Sequence, residues 1–370
     1  MKSSIKKNIS QYSLIFALIV FAVIPVFAGN SPKAEELNVQ ELVIDHLADA
    51  YEWHVTSFGD KHIAIPLPII VKGEESGWHV FSSGKFHGEE HAYEGFHIAS
   101  EGKYKGKIVE TLSSGEEVRP WDFSLTKNAA SLVFGSIVLV LLIMFCARWY
   151  KKRVDAPETA SPKGFVAFVE MIIMNIVDDV IKPSIGKNYK RFTPYLLTVF
   201  FFIIFNNMLG LIPIFPGGAN VTGNIAITFV LALVSFIVVN VFATKEYWKE
   251  IFWPDVPTWL KVPIPLMPAI EIVGIFTKPF ALMIRLFANI LAGHAIVLGL
   301  VCMIFFTVKL GPAMNTGISI LSVIMTIFIN FVELLVAYIQ AYVFTLLTAS
   351  FIGLSQIEPH HASEKHPKKA

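Results

Sequence analysis

Long stretches of this sequence carry almost no charged side chains. No Lys, Arg, Asp or Glu occurs in Phe192–Thr244. Arg285 is the only formal charge in Pro279–Val308, and Glu333 is the only one in Leu310–Ile357. Because about 20 apolar residues cross the hydrocarbon core of a bilayer, each stretch is long enough for one or two membrane-spanning helices. We therefore predict an all-α polytopic membrane protein.

The composition supports this class. Charged residues make up 16% of the chain, whereas a soluble domain carries about a quarter. The net charge of +1 gives no indication of a nucleic-acid partner, and we expect no cofactor. The two cysteines, Cys146 and Cys302, both fall in predicted spans, which favours buried thiols over a disulfide.

Residues 1–28 have the pattern of a secretory signal peptide. Three lysines within the first seven residues precede the apolar run Tyr12–Phe27, and the small residue Ala28 follows it. This order is typical of a signal with a cleavage site. An uncleaved first helix is the alternative, but Pro25 interrupts the run and no basic stop signal follows.

Residues 29–127 have a different character. They are polar, rich in Gly, Lys and Glu, and contain seven of the eleven histidines. The stretches Phe81–Gly84 and Tyr104–Lys107 have the pattern of small strands joined by turns. Since the segment follows a signal sequence, we predict a small β-rich segment outside the cytoplasm.

One motif in this segment fits an inverted zinc-protease pattern. His87-Gly88-Glu89-Glu90-His91 matches H-x-x-E-H. That chemistry requires both histidines on one face of a helix, and the glycines around the motif favour turns. We therefore interpret it as a solvated surface rich in His and Glu, with a loosely bound surface metal as the next alternative.

The transmembrane domain is predicted over residues 128–357. Its first span, Asn128–Trp149, ends in Arg148, Lys151, Lys152 and Arg153, and such positive residues mark the cytoplasmic side. Lys163–Lys182 has apolar residues at helical spacing, interrupted by acids and bracketed by Pro162 and Pro183. This pattern is typical of an amphipathic helix along the interface.

Four further spans complete a total of five. Phe192–Ile214 and Gly223–Thr244 come first, followed by a cytoplasmic loop with Lys245, Lys249 and Lys261. The helices Pro268–Lys309 and Thr316–Leu354 are about twice the length of a straight crossing, so we expect them to be tilted or partly interfacial. The tail, residues 358–370, is basic and is predicted to be cytoplasmic.

Ionisable side chains at membrane depth are costly and indicate an ion path. Glu271, Lys278 and Arg285 are seven residues apart, so two helical turns keep them on one stripe, which Asn289 continues. His294 lies about 13 Å beyond Arg285 towards the outside, and Glu271 about 21 Å towards the cytoplasm.

In the last helix, Glu333 and Gln340 are also seven residues apart. If Gln340 lies level with Arg285, Glu333 is about 10 Å further outward, near His294. This arrangement favours two offset half-channels separated by Arg285, whose guanidinium stays charged when partly desolvated. A structural ion pair between Arg285 and Glu333 is the alternative interpretation.

At this point the sequence resembles a known family. Lys278-Pro279 followed by Ile284–His294 (IRLFANILAGH) is similar to the R-L-F-x-N-x-x-A-G hallmark of subunit a of F-type ATP synthases. The resemblance covers roughly residues 125–357. Further matching residues are Asn207–Pro213, Thr222–Asn224, Glu271 and Gln340.

The resemblance implies a non-catalytic stator subunit in the cell inner membrane. Its expected partners are the ring of c subunits, the b subunits and other stator subunits, and membrane lipid. Arg285 would face the ring carboxylates with support from Gln340, His294 and Glu333 would line the outer channel, and Glu271 would lie at the cytoplasmic exit. Many bacterial relatives carry the carboxylate and the histidine of the outer pair in exchanged positions.

Two functions from other classes are the alternatives to this interpretation. A stand-alone ion-coupled transporter is typically built from inverted repeats with broken helices in both halves, and no such pair is apparent in the sequence. A membrane enzyme requires a nucleophile with a base, or a metal cluster, at membrane depth. No such set is apparent either.

Overall fold

The computed structural model divides into two compact units, residues 1–130 and 131–370. The predicted signal peptide and the cytoplasmic tail lie outside the described residues. Those described are 48–58, 61–87, 92–99, 102–113, 115–152, 162–212, 217–253 and 266–356.

The first unit is built from short antiparallel strands. They form a two-stranded sheet, β1-β2, a three-stranded sheet of order β4-β3-β9, and a four-stranded sheet, β5-β6-β7-β8. The strands are β1 (Glu52–Phe58), β2 (Lys61–Pro66), β3 (Pro68–Lys72), β4 (Trp78–Ser82), β5 (Ala92–Tyr93), β6 (Phe96–Ile98), β7 (Ile108–Thr111), β8 (Glu117–Val118) and β9 (Trp121–Asp122).

The core of this unit lies between the three-stranded and the four-stranded sheets. Ile69 and Val71 alternate with exposed residues along β3 and are fully buried, as expected for a strand with one face in a core. They belong to one buried cluster with Phe96 of β6 and Ile108 of β7. β9 returns from the end of the unit to pair with β3.

The predicted local elements of this unit are correct only in part. Phe81 and Ser82 do end a strand, but Ser83–His87 forms a 3₁₀ turn. Tyr104–Lys107 is not a strand: Gly102–Tyr104 is a 3₁₀ turn that leads into a hydrogen-bonded turn. The H-x-x-E-H motif falls largely outside the described residues, and its interpretation stays a prediction.

Long helices form the second unit, and their bounds lie within a few residues of those predicted. The helices are α1 (Lys127–Lys151, which begins in the first unit), α2 (Phe165–Asn175), α3 (Lys182–Ile185), α4 (Tyr189–Leu211), α5 (Ile225–Val241), α6 (Lys245–Phe252), α7 (Leu266–Thr307) and α8 (Pro312–Ser355).

Pro183 does not end the amphipathic segment, which corrects the sequence prediction. A π-helical turn, Ile176–Ile181, joins α2 to α3, and Pro183 lies in the first turn of α3. Proline has no backbone N–H to donate, and the π-helical turn places Pro183 in the first turn of the next helix, where that donor is not needed. The chain instead turns at Gly186, which has a φ of 73°. Glycine adopts this positive φ without strain because it has no Cβ.

The predicted loop after α5 is partly helical. Lys245–Phe252 forms α6, and the hydroxyl of Thr244 accepts a hydrogen bond from the N–H of Tyr247 at 3.3 Å. Thr244 is therefore an N-cap, a signal that the sequence analysis did not use. Lys261, predicted in the same loop, lies outside the described residues.

The second unit has the composition of a polytopic membrane protein. Over the described residues, four helical stretches are long and apolar enough to cross a membrane, or five if the bent pair α5 and α6 is one span. Their packed centre includes Ile181, Phe200, Leu286 and Phe344. Cys146 and Cys302 are buried free thiols, as predicted.

Candidate functional site

The predicted polar stripe lies on one continuous helix. α7 runs unbroken from Leu266 to Thr307, past Pro279, so residues seven apart stay on one face. Glu271 and Lys278 are half-buried, whereas Arg285 and Asn289 are exposed. The stripe therefore follows the helix from a half-buried acid to an exposed cation.

Arg285 has no acidic partner among the described residues. No described carboxylate lies within ion-pair distance of its guanidinium, and Glu333 contacts another residue. Arg285 also lies about 13 Å from His294 along the axis of α7. The alternative interpretation, a structural ion pair between Arg285 and Glu333, is therefore wrong.

His294 and Glu333 meet between the two longest helices. Nδ1 of His294 lies 2.7 Å from Oε1 of Glu333, and the two side chains are only 17% and 3% exposed. Neither oxygen of Glu333 has a hydrogen-bond partner in the described part of the chain, so this is a close contact between imidazole and carboxyl groups without hydrogen-bond geometry. A buried carboxylate needs such a partner, because removing an unpaired charge from water is very unfavourable.

One glycine makes room for the carboxylate of this pair. A Cβ on Gly293 would lie 2.9 Å from Oε1 and 3.0 Å from Cδ of Glu333. Gly210 of α4 lies beside the imidazole, where a Cβ would be 3.8 Å from Nε2 of His294, an ordinary contact distance. The carboxylate of Glu333 therefore packs directly against α7 at a position that has no side chain.

A hydrogen-bonded bridge lies one helical turn from the pair. Nδ2 of Asn207 donates to the carbonyl of Ala337 at 3.3 Å, and the hydroxyl of Thr222 donates to Oδ1 of Asn207 at 2.6 Å. Asn207 and Thr222 are both buried. Since Ala337 is four residues from Glu333, the bridge fixes α8 against α4 beside His294 and Glu333.

Gln340 lies close to the level of Arg285. His294 and Glu333 are in contact. Along α7, Arg285 lies nine residues, about 13 Å, from His294, and along α8, Gln340 lies seven residues, about 10 Å, from Glu333. The two helices pack against one another, and Gln340 is buried. The predicted match in depth between Gln340 and Arg285 is therefore consistent with the helix register, because the two rises differ by only about 3 Å.

A recess with a mainly apolar lining and a few polar side chains opens on the other side of Arg285 from His294. It lies between α5, α6, α7 and the end of α8, and Asn240, Tyr247 and Lys278 are among its lining residues. Nζ of Lys278 lies 5.7 Å from the centre of the Phe351 ring, within range of a cation–π contact. Oδ1 of Asn240 is buried and has no partner among the described groups.

Several of these residues are not predicted from the sequence pattern. Asn240 and Tyr247 are not among the predicted site residues, and Asn207 and Thr222 are indicated only by the family resemblance. A polar side chain within an apolar run, such as Asn240 in Phe192–Thr244, was the available signal. Tyr247 gave none, because its position depends on α6 folding back onto α7.

Long apolar helices that enclose a buried His–Glu pair and carry a cationic stripe define a polytopic membrane protein with ionisable groups at membrane depth. A family model described as ATP synthase A chain matches residues 131–353, more than half of the chain. The chain belongs to the ATP synthase subunit a family.

Curated relatives support this membership. The ATP synthase subunit a of Chlorobium phaeobacteroides (strain DSM 266) is 35% identical over 342 residues, 89% of this chain and 95% of the relative. That of Chloroherpeton thalassium is 36% identical over 258 residues, 68% and 72% of the two chains. The ATP synthase subunit a 2 of Chlorobaculum tepidum is 40% identical over 245 residues, 65% of each.

The N-terminal segment, residues 29–127, has a match of its own. A family model described only as a domain of unknown function matches residues 42–123. Since only 11% of this chain lies outside the match to the Chlorobium phaeobacteroides protein, that relative shares most of this segment. The segment is therefore an element that this chain has in common with a member of its family.

Proposed function

We propose that this chain translocates ions, most simply protons, across the membrane as subunit a of an F-type ATP synthase. In this proposal it provides two half-channels to the carboxylates of a rotating c-ring, and Arg285 separates them. The chain itself is not catalytic. The observation that carries the proposal is an exposed arginine at membrane depth without an acidic partner among the described residues.

The exposure of Arg285 supports a partner on another chain. A guanidinium at the depth of a bilayer is costly unless it faces water or a counter-charge. Because Arg285 and Asn289 are both exposed on α7, the counter-charge would approach from outside this chain. A ring carboxylate beside Arg285 would favour its ionised form and release its proton, and the fixed cation would oppose direct leakage between the channels.

The pair of His294 and Glu333 would form the outer route. An imidazole nitrogen 2.7 Å from a buried carboxyl oxygen brings two groups that can each take up and release a proton side by side, which suits a route that passes protons inward. Gln340, near the level of Arg285, would support the guanidinium.

The recess with Asn240, Tyr247 and Lys278 would form the inner route, with Glu271 at its cytoplasmic end. These polar groups lie on the opposite side of Arg285 from His294, as the helix rise along α7 requires. In this proposal a few polar groups within a mainly apolar recess serve the inner side, and His294 with Glu333 serve the outer side.

The same proposal sets the topology. Five spans and an interfacial helix over residues 163–182 would place the mature N-terminus outside and residues 358–370 in the cytoplasm, in the cell inner membrane. Residues 1–28 would be the signal peptide. The b subunits and other stator subunits would contact the chain besides the c-ring.

Substitution of Arg285 in the assembled complex tests this function. Arg285→Ala and Arg285→Lys should abolish ATP-driven proton pumping into vesicles while the complex still co-purifies with a small hairpin protein that carries the ring carboxylate. Arg148→Ala, which removes an exposed arginine at the end of α1, is the matched control and should retain pumping. Pumping by the Arg285→Ala complex would refute the proposal.

A further inference from the structure

The first unit presents an exposed aromatic face that its own core does not use. Trp78 is 61% exposed, Val80 72%, Trp121 71% and Phe123 58%. We call these four residues, with Lys72 between the two tryptophans, the aromatic face. Large apolar side chains exposed together on one surface mark an interaction site.

The strand register places these residues on one side of the three-stranded sheet. Lys72 of β3 lies opposite Trp78 of β4 and opposite Trp121 of β9, and directly paired residues project from the same side. The rings of Trp78 and Phe123 are 5.8 Å apart, and Nζ of Lys72 lies 5.9 Å from the Trp78 ring. The surface is therefore continuous.

The opposite side of the same sheet is the core. Ile69 and Val71 alternate with Lys72 along β3 and are fully buried, and Asp122 turns inward to accept a hydrogen bond from Tyr51. No acidic side chain projects from the aromatic side of β3, β4 and β9 in the described residues. The face is thus apolar with one positive charge.

The connection from this sheet to the first long apolar helix is short and carries several backbone hydrogen bonds. The N–H of Phe123 donates to the carbonyl of Ile70 at 2.9 Å, and that of Leu125 to the carbonyl of Pro68 at 3.1 Å. The N–H of Lys127, the first residue of α1, donates to the carbonyl of Ala50 at 2.8 Å. The pairing with β3 therefore continues beyond β9 to Leu125, two residues before α1 begins.

The length of α1 places that start near the lipid headgroups. Its 25 residues extend about 37 Å, whereas the hydrocarbon core is about 30 Å thick. Phe123 lies four residues from Lys127, at most about 14 Å along an extended chain. Tryptophan, phenylalanine and lysine side chains are also those that favour the boundary between headgroups and acyl chains.

We infer that the aromatic face lies flat on the membrane surface, against the headgroup layer of the leaflet at which α1 begins. Trp78, Trp121 and Phe123 would enter the boundary between headgroups and acyl chains, and Lys72 would contact lipid phosphates. The inference does not depend on ion translocation, since it rests only on the first unit and the start of α1.

Site-specific quenching in the assembled complex tests it. Cys146 and Cys302, the two native cysteines, are replaced by Ser, and Val80→Cys or Thr111→Cys is labelled with a small environment-sensitive fluorophore. Thr111 is exposed and lies on the side of β7 that faces away from the shared core, so it is the matched control. The complexes are reconstituted in phosphatidylethanolamine and phosphatidylglycerol vesicles that contain a lipid with a nitroxide near the top of the acyl chain.

We expect several-fold greater quenching at Val80 than at Thr111, and equal quenching at a label placed through Trp121→Cys. Similar quenching at Val80 and Thr111, or strong quenching at neither, would overturn the inference. So would a photoreactive probe at Val80 that attaches to another polypeptide rather than to lipid, because the face would then be a protein interface. ATP-driven pumping by the same vesicles shows whether the ion-translocation proposal holds independently.

Discussion

Nδ1 of His294 on α7 lies 2.7 Å from Oε1 of Glu333 on α8, and both side chains are largely buried. The two residues are far apart in sequence, and each is isolated among apolar neighbours. Because the packing of α7 against α8 brings them into contact, the same packing sets the depth of Gln340 relative to Arg285.

Exchange of the two outer residues should preserve function better than loss of either one. We expect Glu333→Gln and His294→Ala each to lower the rate of ATP-driven pumping about a hundredfold, the lower end of what a positioned proton-transfer group contributes to a rate. The double exchange His294→Glu with Glu333→His should recover most of the rate. A double exchange as poor as the single variants would show that the residues do not act as a pair.

Gly293 should be intolerant of even a methyl group. A Cβ there would meet Oε1, Cδ and Cγ of Glu333 at 2.9, 3.0 and 3.3 Å, so Gly293→Ala should displace the carboxylate and slow pumping. Gly299→Ala is the control on the same helix, where a Cβ would meet nothing within 4 Å. It should leave pumping unchanged and stabilise the helix by about 0.5–1 kcal/mol. Equal pumping by the two variants would contradict this account.

The hydroxyl of Thr222 should contribute to stability through Asn207. Thr222→Val leaves the buried Oδ1 of Asn207 without its donor at 2.6 Å, and an unsatisfied buried acceptor costs about 1–3 kcal/mol. Thermal unfolding of the detergent-solubilised complex should therefore occur at a lower temperature. Thr316→Val, which removes an exposed hydroxyl bonded only within its own helix, should have no comparable effect.

The first unit should lose stability in acid through Glu110. Burial raises the pKa of this carboxyl, but hydrogen bonds from Ser76 and from the N–H groups of Glu74 and Ser76 outweigh burial and lower the pKa below its usual value of 4.5. A lowered pKa in the folded state stabilises the fold above pH 4.5, and that contribution is lost as the pH falls through the folded value.

Hydrogen exchange of residues 73–77 in the full chain measures this effect. Glu110→Gln should exchange faster than the native chain at pH 7, and the difference should shrink as the pH falls below 4.5. Glu117→Gln, at an exposed residue of β8, is the control and should exchange like the native chain at both pH values. If the difference in exchange rate between Glu110→Gln and the native chain grew in acid, ionised Glu110 would not be what stabilises this segment.

Much of the second unit follows from the sequence alone. The absence of charge in Phe192–Thr244 and the spacing of Glu271, Lys278 and Arg285 depend only on the order of residues and the period of a helix. The structure therefore has α7 and α8 close to their predicted bounds. Two local predictions were wrong. Pro183 does not end a helix, because a π-helical turn precedes it, and Lys245–Phe252 is a helix capped by Thr244 and not a loop.

The candidate site could be predicted residue by residue but not as an assembly. The sequence predicts His294 and Glu333 at similar depth only if Gln340 lies level with Arg285, whereas their actual contact depends on how closely α7 and α8 approach at Gly293. Asn240 and Tyr247 share a recess only because α6 folds back onto α7. The aromatic face likewise requires β9 to pair with β3, a long-range register that alternation in short strands does not specify.

The sequence by itself determined that this chain enters a membrane and that one of its helices carries a stripe with a permanent cation, because hydropathy and helical period are properties of consecutive residues. Tertiary structure decided which groups meet: the imidazole with the carboxylate, Asn207 with Thr222, and β9 with β3. Those contacts join distant segments, and the packing of helices and strands against one another sets them.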